Sequence, residues 1–446
     1  MTAPRLLHLA DLETIYDDPE RVGRLAGAID RVRDDRTLVV GSGDTSALGA
    51  LAFESDDSRA IARPFYDQIS LDVDTLGNHE FDHGASEAAE WARSTAATHL
   101  AANVDGPTSL EDTTRSDETD RWDGLESSTV VSAAGHRIGL IGIVHPETVE
   151  LSGLELDVTI TDPVDAVRIE AKRLRDRGAD WVVILSHAGP IDERIAAETD
   201  ADAVLGGHDH DAVRERIDGT LVSRTEGGQA GVYQFVELGE SPTDHGGSIE
   251  AVTHSIDEAP RSESVESTYR DLAADLGLTR RLGRLPEPLD HTEAAELVAT
   301  AYRVGGDADV GLVAAASVRD GLPGRVTRGD VVGIVPFGSK LDVHRLPGET
   351  LQAVAERCTD PLDATHGGLI AAGIELGTDG TVRIDGVRID PEGDYRLGCM
   401  SYLTVVDAVP ELDASTRVES RGPQHEHVLA RVANRVDEPA GGGTNR

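Results

Sequence analysis

Short, nearly continuous apolar runs punctuate the first half of the chain, at residues 6–10, 37–40, 138–144, 181–185 and 203–205. Runs of this length, bounded by Gly, Ser and Asp, read as strands buried on both faces of a helix-covered sheet. Helical patterns alternate with them, which makes the first half an α/β arrangement. Four of the runs end in polar clusters: Asp11-Leu12-Glu13, Gly43-Asp44, Ser186-His187 and Gly207-His208-Asp209-His210. A fifth cluster, Gly77-Asn78-His79-Glu80-Phe81-Asp82, places an amide, an imidazole and two carboxylates in one short turn. Side chains just past the carboxyl ends of such strands converge in one crevice, where open α/β sheets bind their ligands.

The pattern changes after about residue 256. Between 257 and 279 the chain turns to Ser, Glu, Arg and Ala, with helical spacing over 265–276. This stretch reads as a connecting helix between domains. A second unit follows, with helices expected over 292–304 and 348–357 and strands over 310–314, 341–346, 381–384 and 395–399. A chain of 446 residues exceeds one ordinary core, so two domains are expected. The divisions are 1–256 for a catalytic domain, 257–284 for the connecting segment, 285–432 for a second domain and 433–446 for a disordered tail. The polar stretches 107–123 and 240–247 read as surface insertions.

Charge narrows the class of partner. Asp and Glu total 82 against 41 Lys and Arg, a formal net charge of -41. Repulsion at long range excludes a nucleic-acid polymer or an anionic membrane as the natural partner. With only Lys172 and Lys340 as lysines, the composition resembles that of a salt-in halophile, whose carboxylate surface stays hydrated, with an acidic binding surface as the alternative. Cys358 and Cys399 are too few for a disulfide framework and have no metal-ligand spacing, so both read as small core residues. No apolar stretch approaches bilayer length and the N-terminus shows no leader, so a cytoplasmic location is expected.

The chemistry lies in the clusters. Asn, His and carboxylates in one turn are the materials of a metal-assisted hydrolase site. A strand-end Asp-x-Glu would point Asp11 and Glu13 the same way, because side chains alternate along a strand. His8, three positions from Asp11, faces the other side and reads as a strand histidine.

In this order, the Asp-x-Glu, GD, GNHE, lone His and GHxH clusters resemble the calcineurin-like metallophosphoesterases, and specifically their 5'-nucleotidase branch. The resemblance runs from Arg5 to about Val432. It implies a four-layer αββα sandwich followed by a smaller α+β substrate-binding domain. It also implies two divalent metal ions, with Asp44 between them. Asp11, Glu13 and His210 would complete one site, and Asn78, His187 and His208 the other. Two cations would polarise the phosphoryl oxygens and lower the pKa of a shared water for in-line attack. His79 would donate to the phosphate or leaving oxygen, with Asp82 holding its tautomer. Glu80 reads as structural, and His99 and Asn103 resemble a turn near the site. Glu13 departs from the family, which usually has His there. A harder, negative ligand tilts the choice towards Mn2+ or Mg2+ and away from Zn2+, with Co2+ also open.

In the second half, Ser317-Val318-Arg319-Asp320-Gly321 and Val335-Pro336-Phe337-Gly338-Ser339 resemble the base-binding region of the 5'-nucleotidase C-terminal domain. Arg319 would contact substrate, with Phe337 and Tyr402 as an aromatic clamp on a nucleobase. The loops depart from the family at 314–319, at Ser339 and after Tyr402. The expected activity is hydrolysis of nucleotide phosphomonoesters. A 2',3'-cyclic nucleotide phosphodiesterase, a UDP-sugar or other phosphoester hydrolase, and a non-catalytic metal- or nucleotide-binding protein stay open, as does the oligomeric state.

Overall fold

A computed structural model describes residues 3–46, 48–106, 124–152, 154–239, 249–358, 368–405 and 409–437. The chain divides into two compact units, Met1–Leu48 with Asp56–Asp271 and Gly49–Ser55 with Leu272–Arg446. The break at 271/272 falls inside the stretch expected to connect two domains. Assignment of Gly49–Ser55 to the second unit has no counterpart in the sequence pattern. The expected insertions at 107–123 and 240–247 lie outside the described residues.

The first unit contains two six-stranded sheets. In one, the order is Glu250–Ser255, Val232–Glu237, Arg5–Leu9, Thr37–Gly41, Val73–Thr75 and Thr98–Leu100. Arg5–Leu9 runs parallel to Thr37–Gly41 and antiparallel to Val232–Glu237. In the other, the order is Val213–Ile217, Thr220–Arg224, Ala203–Gly206, Trp181–Ser186, His136–Ile143 and Ser128–Ala133. Its four central strands are parallel.

The apolar runs are strands buried on both faces, and the pleat explains why. Leu6, Val40 and Val73 of the first sheet share one core with Leu140, Val183 and Leu205 of the second. In the second sheet the alternate residues Ile141, Val182, Ile184 and Val204 pack instead under Val164, Val167, Leu174 and Ile195. Those four belong to the amphipathic helices Pro163–Asp176 and Asp192–Glu198. On the first sheet, Leu7, Leu9 and Val39 are equally buried. Helices Pro19–Val32 and Arg63–Ile69 bury Val22, Leu25, Ile29 and Phe65. The layering is the αββα sandwich. Helix Glu263–Asp275, in the connecting stretch, ties back into this unit through Tyr269, whose hydroxyl donates to the Ile61 carbonyl at 2.7 Å.

The second unit is built on a five-stranded sheet in the order Leu369–Ala372, Val310–Ala314, Asp394–Met400, Lys340–Pro347 and Arg417–Pro423. Helix His291–Gly305 packs on it, opened by a capping box in which Asp290 and Glu293 satisfy each other's backbone N–H groups. Cys399 is buried in this core, and Cys358 packs at its edge. Helix Gln424–Ala433 ends the unit, and Asp437 bridges to Arg284. Residues 433–437 of the expected tail therefore have defined structure, and the rest of it lies outside the described residues. Among the described residues no helix is long and apolar enough to cross a membrane.

Candidate metal centre

Each polar cluster of the first unit leaves the carboxyl end of a strand through a tight turn. Asp11, Glu13, Asp44 and His208 all have positive φ, at 51°, 35°, 48° and 76°. Such left-handed backbone in a residue with a Cβ costs about 1–3 kcal/mol and persists only where surrounding structure imposes it. Hydrogen bonds supply that constraint here. The Asp44 carbonyl accepts from Leu12 N at 2.8 Å, and Glu80 accepts from Asp44 N, Gly77 N and Ser46 N at 3.0, 2.6 and 3.0 Å. Glycine is required at two points of this knot. A Cβ on Gly77 would lie 2.1 Å from Asp44 Oδ1, and one on Gly43, at φ +83°, would lie 2.6 Å from Gly77 N.

These turns correct the strand-alternation argument for Glu13. The strand ends at Leu9, and Glu13 opens a short 3-10 helix, Glu13–Asp17. Its carboxylate reaches the cluster through left-handed turns rather than through strand pleat. Glu13 Oε1 lies 3.4 Å from His210 Nε2, which is also 3.9 Å from Asp11 Oδ1.

Three overlapping groups of ligand atoms result, each with all its atoms within 4.8 Å of one another: Asp11, Glu13 and His210; Asp44, His187 and His208; and Glu13, Asp44 and His79. Asn78 joins the second group, its Oδ1 being 2.9 Å from His208 Nδ1 and 3.2 Å from His187 Nε2. Glu13 and Asp44 thus link the two halves of the centre. His187 is fully buried and donates Nδ1–H to the Ser42 carbonyl at 2.7 Å, which turns Nε2 towards Asp44 Oδ2 at 2.9 Å. A backbone partner on one ring nitrogen is the usual device for fixing which nitrogen binds a metal.

The electrostatics fit cations. Burial pushes the Asp11 carboxyl up to about 6, against the pull of His187 and His210. Burial would also raise Asp44, but His187 and His79 beside it hold its carboxyl well below the usual range. The Asp11 Oδ2 atom is buried without a hydrogen-bond partner, although Oδ1 accepts from His208 N at 2.9 Å. Buried carboxylates and an orphaned oxygen among imidazole nitrogens are the donor set expected of a divalent-metal site.

His79 donates its backbone N–H to Asp44 Oδ1 at 2.9 Å and holds Asp82 Oδ2 at 2.8 Å from its Nδ1. Burial works against a charged ring, but Asp82 and Asp44 outweigh it and raise His79 to about 10. His8 lies elsewhere, 2.8 Å from Ser42 Oγ, and burial pushes it down to about 4. Asn103 clamps the strand end at Val144, accepting from its N–H and donating to its carbonyl at 2.9 Å each. His99 is buried edge-on to Trp91.

Two neighbours of the centre escaped the sequence reading. His145 is buried with its ring 4.3 Å from that of His208. It follows the apolar run 138–144 as His187 follows 181–185, so the same signal marks it. Arg224 ends strand Thr220–Arg224 beside Asp192 and Asp209, and nothing in its local sequence distinguishes it. In the second unit, the Arg319 guanidinium lies 6.0 Å from the Phe337 ring centroid. Tyr402 opens the short helix Tyr402–Val405 and packs against that unit's core.

A face-to-face pair of sheets whose strand ends carry candidate oxygen and nitrogen ligands is an architecture suited to a metal-dependent hydrolase. Residues 4–212 match the calcineurin-like phosphoesterase family, and residues 272–406 match the 5'-nucleotidase C-terminal domain. The chain thus joins a calcineurin-like phosphoesterase domain to a 5'-nucleotidase C-terminal domain, and calcineurin-like phosphoesterases use divalent metals. It is 25% identical over 339 residues to an apyrase of Aedes albopictus, a match covering 66% of this chain and 59% of the apyrase. A 5'-nucleotidase precursor of Thermus thermophilus has the same fold, with a TM-score of 0.80 at 20% identity over 99% of this chain and 98% of that one. So does the sulfate thiohydrolase SoxB of the same organism, with a TM-score of 0.76 at 17% identity over 98% of this chain and 96% of that one.

Proposed function

We propose that this chain hydrolyses nucleotide phosphomonoesters at a centre of two divalent cations. The observation that carries the reading is the convergence of Asp11, Glu13 and His210 with Asp44, Asn78, His187 and His208, beside the His79–Asp82 pair. Asp11, Glu13 and His210 would hold one cation and Asn78, His187 and His208 the other, with Asp44 shared. When bound, such cations supply positive charge to the phosphoryl oxygens and a water of lowered pKa. His79 contributes a proton donor. With Nδ1 engaged by Asp82, its Nε2–H is left to hydrogen-bond a phosphoryl or leaving-group oxygen, and the carboxylate favours the charged ring. The buried carboxylates contributed by Glu13, Asp11 and Asp44 make the centre hard and anionic, which favours Mn2+ or Mg2+ over Zn2+.

The substrate assignment is supported by the match of residues 272–406 to the 5'-nucleotidase C-terminal domain and by the Arg319–Phe337 pair. A phenylalanine face stacks on any base, at about 1–3 kcal/mol per contact, and Tyr402 would supply a second face. The altered loop at 314–319 and Ser339 in place of the family's Asn favour broad rather than stringent base recognition, and keep 2',3'-cyclic nucleotides and UDP-sugars among the candidates. Turnover of AMP to adenosine and phosphate, of 2',3'-cyclic AMP to an adenosine monophosphate, of a UDP-sugar to UMP and a sugar phosphate, and of p-nitrophenyl phosphate to p-nitrophenol and phosphate, each followed by chromatography with Mn2+ in high salt, tests the reading. AMP is expected to be hydrolysed fastest, and His79→Ala to lower kcat by about 10²–10⁴-fold. No turnover of any of the four would leave a binding protein.

A further inference from the structure

We infer that Arg224 is a positioning residue for the metal centre, holding the loop that carries one ligand of each candidate cation site. The inference rests on the two-cation reading above. His208 belongs to one group of ligands and His210 to the other, and Asp209 lies between them in sequence. Arg224 Nη2 is 3.5 Å from Asp209 Oδ2, and its Nε donates to the Asp211 carbonyl at 3.2 Å, so the guanidinium grips the histidine loop on both sides of His210. Its other arm reaches the loop after His187. There Nη1 donates to the Gly189 carbonyl at 3.2 Å and lies 3.6 Å from Asp192 Oδ2.

The two loops are tied to the same side chain because their strands are neighbours. Gly206 pairs with Arg224 across parallel strands, and the glycine leaves room for the Asp192 carboxylate, whose Oδ2 would lie 2.3 Å from a Cβ placed there. Gly189 in turn abuts the histidine loop, since a Cβ on it would sit 3.0 Å from His208 Cδ2. Asp192 Oδ1 accepts from the hydroxyl of Ser186, the residue before His187, at 2.5 Å. One buried cation is thereby connected to His208 and His210 through one intervening residue, and to His187 through two, Asp192 and Ser186. A planar guanidinium with five donors can span these four partners at once, which a lysine ammonium cannot. Partners behind metal ligands typically carry a 10–100-fold share of metal affinity.

The test uses the full chain, stripped with a chelator and titrated with Mn2+ by calorimetry, alongside Arg224→Met and Asp209→Asn. Asp209 is partly exposed, so its variant keeps the test alive if Arg224→Met does not fold. Wild type is expected to take up two equivalents. Arg224→Met is expected to bind about 10–100-fold more weakly, Asp209→Asn to shift in the same direction, and the double variant to lose less than the sum of the two. In turnover, kcat should fall while KM for AMP stays within about threefold, as a displaced ligand loop rather than a lost substrate contact requires. If wild type binds two Mn2+ and both single variants bind them equally well, Arg224 has no positioning role. If wild type takes up no Mn2+, the metal reading falls and this inference falls with it.

Discussion

At the scale of single residues, the centre is defined by groups whose burial would be costly without a cation, and Glu13 is the residue that makes it particular. A carboxylate there, rather than an imidazole, adds charge to a cluster that already holds Asp11 and Asp44. Replacing Glu13 by His should raise activity with Zn2+ relative to Mn2+, read as the ratio of the two rates. An unchanged ratio would show that position 13 does not contact a metal. Asp74 is a second telling residue. It is buried under the Asp44 turn and accepts from the hydroxyls of Thr45 and Tyr66 at 2.5 and 2.7 Å. Burial raises its carboxyl to about 7 despite those bonds, whereas in the unfolded chain it titrates near 3.8. The folded protein binds this proton more tightly, so the associated stability is complete below about pH 4 and is lost as pH rises through about 7. Asp74→Asn, which mimics the protonated acid, should make the urea midpoint fall less steeply between pH 5 and pH 8. Equal slopes for variant and wild type would refute this.

At the scale of elements, the strands place the candidate ligands and the turns aim them. The parallel strands bury Val, Ile and Leu on both faces and leave their polar residues for the ends. Four of the candidate ligands then sit on left-handed backbone, a conformation that the turn must impose. Gly77 shows how little slack this leaves. A methyl group there would meet Asp44 Oδ1 at 2.1 Å and Asp44 N at 2.5 Å; the nitrogen is backbone of the turn, and the carboxylate oxygen is held by the His79 N–H. Gly77→Ala should therefore abolish Mn2+ uptake and turnover while leaving the far-ultraviolet circular dichroism intact, because the strain falls on a loop outside the core. Retention of more than about a tenth of wild-type turnover would mean that the turn can move, at less than about 1.4 kcal/mol in the barrier.

At the scale of the whole molecule, the net charge of -41 sets the conditions under which the fold is stable. Exposed pairs such as Arg168 with Glu198 and Lys172 with Asp176 weaken in salt, but each is worth no more than about 1 kcal/mol. Acidic residues outnumber basic ones by two to one, 82 against 41, so relief of self-repulsion outweighs the lost pairs. Raising KCl from about 0.1 M to about 1 M shortens the screening length from about 10 Å to about 3 Å. The thermal midpoint should rise across that range, and a flat or falling midpoint would show that the acidic surface imposes no net strain.

Much of this protein was legible without coordinates. Apolar runs of strand length followed by Asp, Asn and His marked the sheets and their ligand-bearing ends, because burial on both faces and chemistry at strand ends are properties of local sequence. The clusters that hold Asp11, Asp44, Asn78, His187, His208 and His210 could be located on that basis, and GNHEFD with its companions pointed to the family, whose resemblance supplied their roles as candidate ligands. How Glu13 reaches the centre was not legible, since it does so from left-handed turns beyond the strand end rather than through strand pleat. His145 carried the same strand-end signal as His187 but was not read from it; Arg224 was not legible, nor was the division that places Gly49–Ser55 with the second unit. Those depend on which strands lie side by side, a long-range pairing that no window of sequence contains. The sequence by itself determined which chemical groups this protein brings to its site; the tertiary structure alone decided which of them touch, because backbone turns and strand order set those distances.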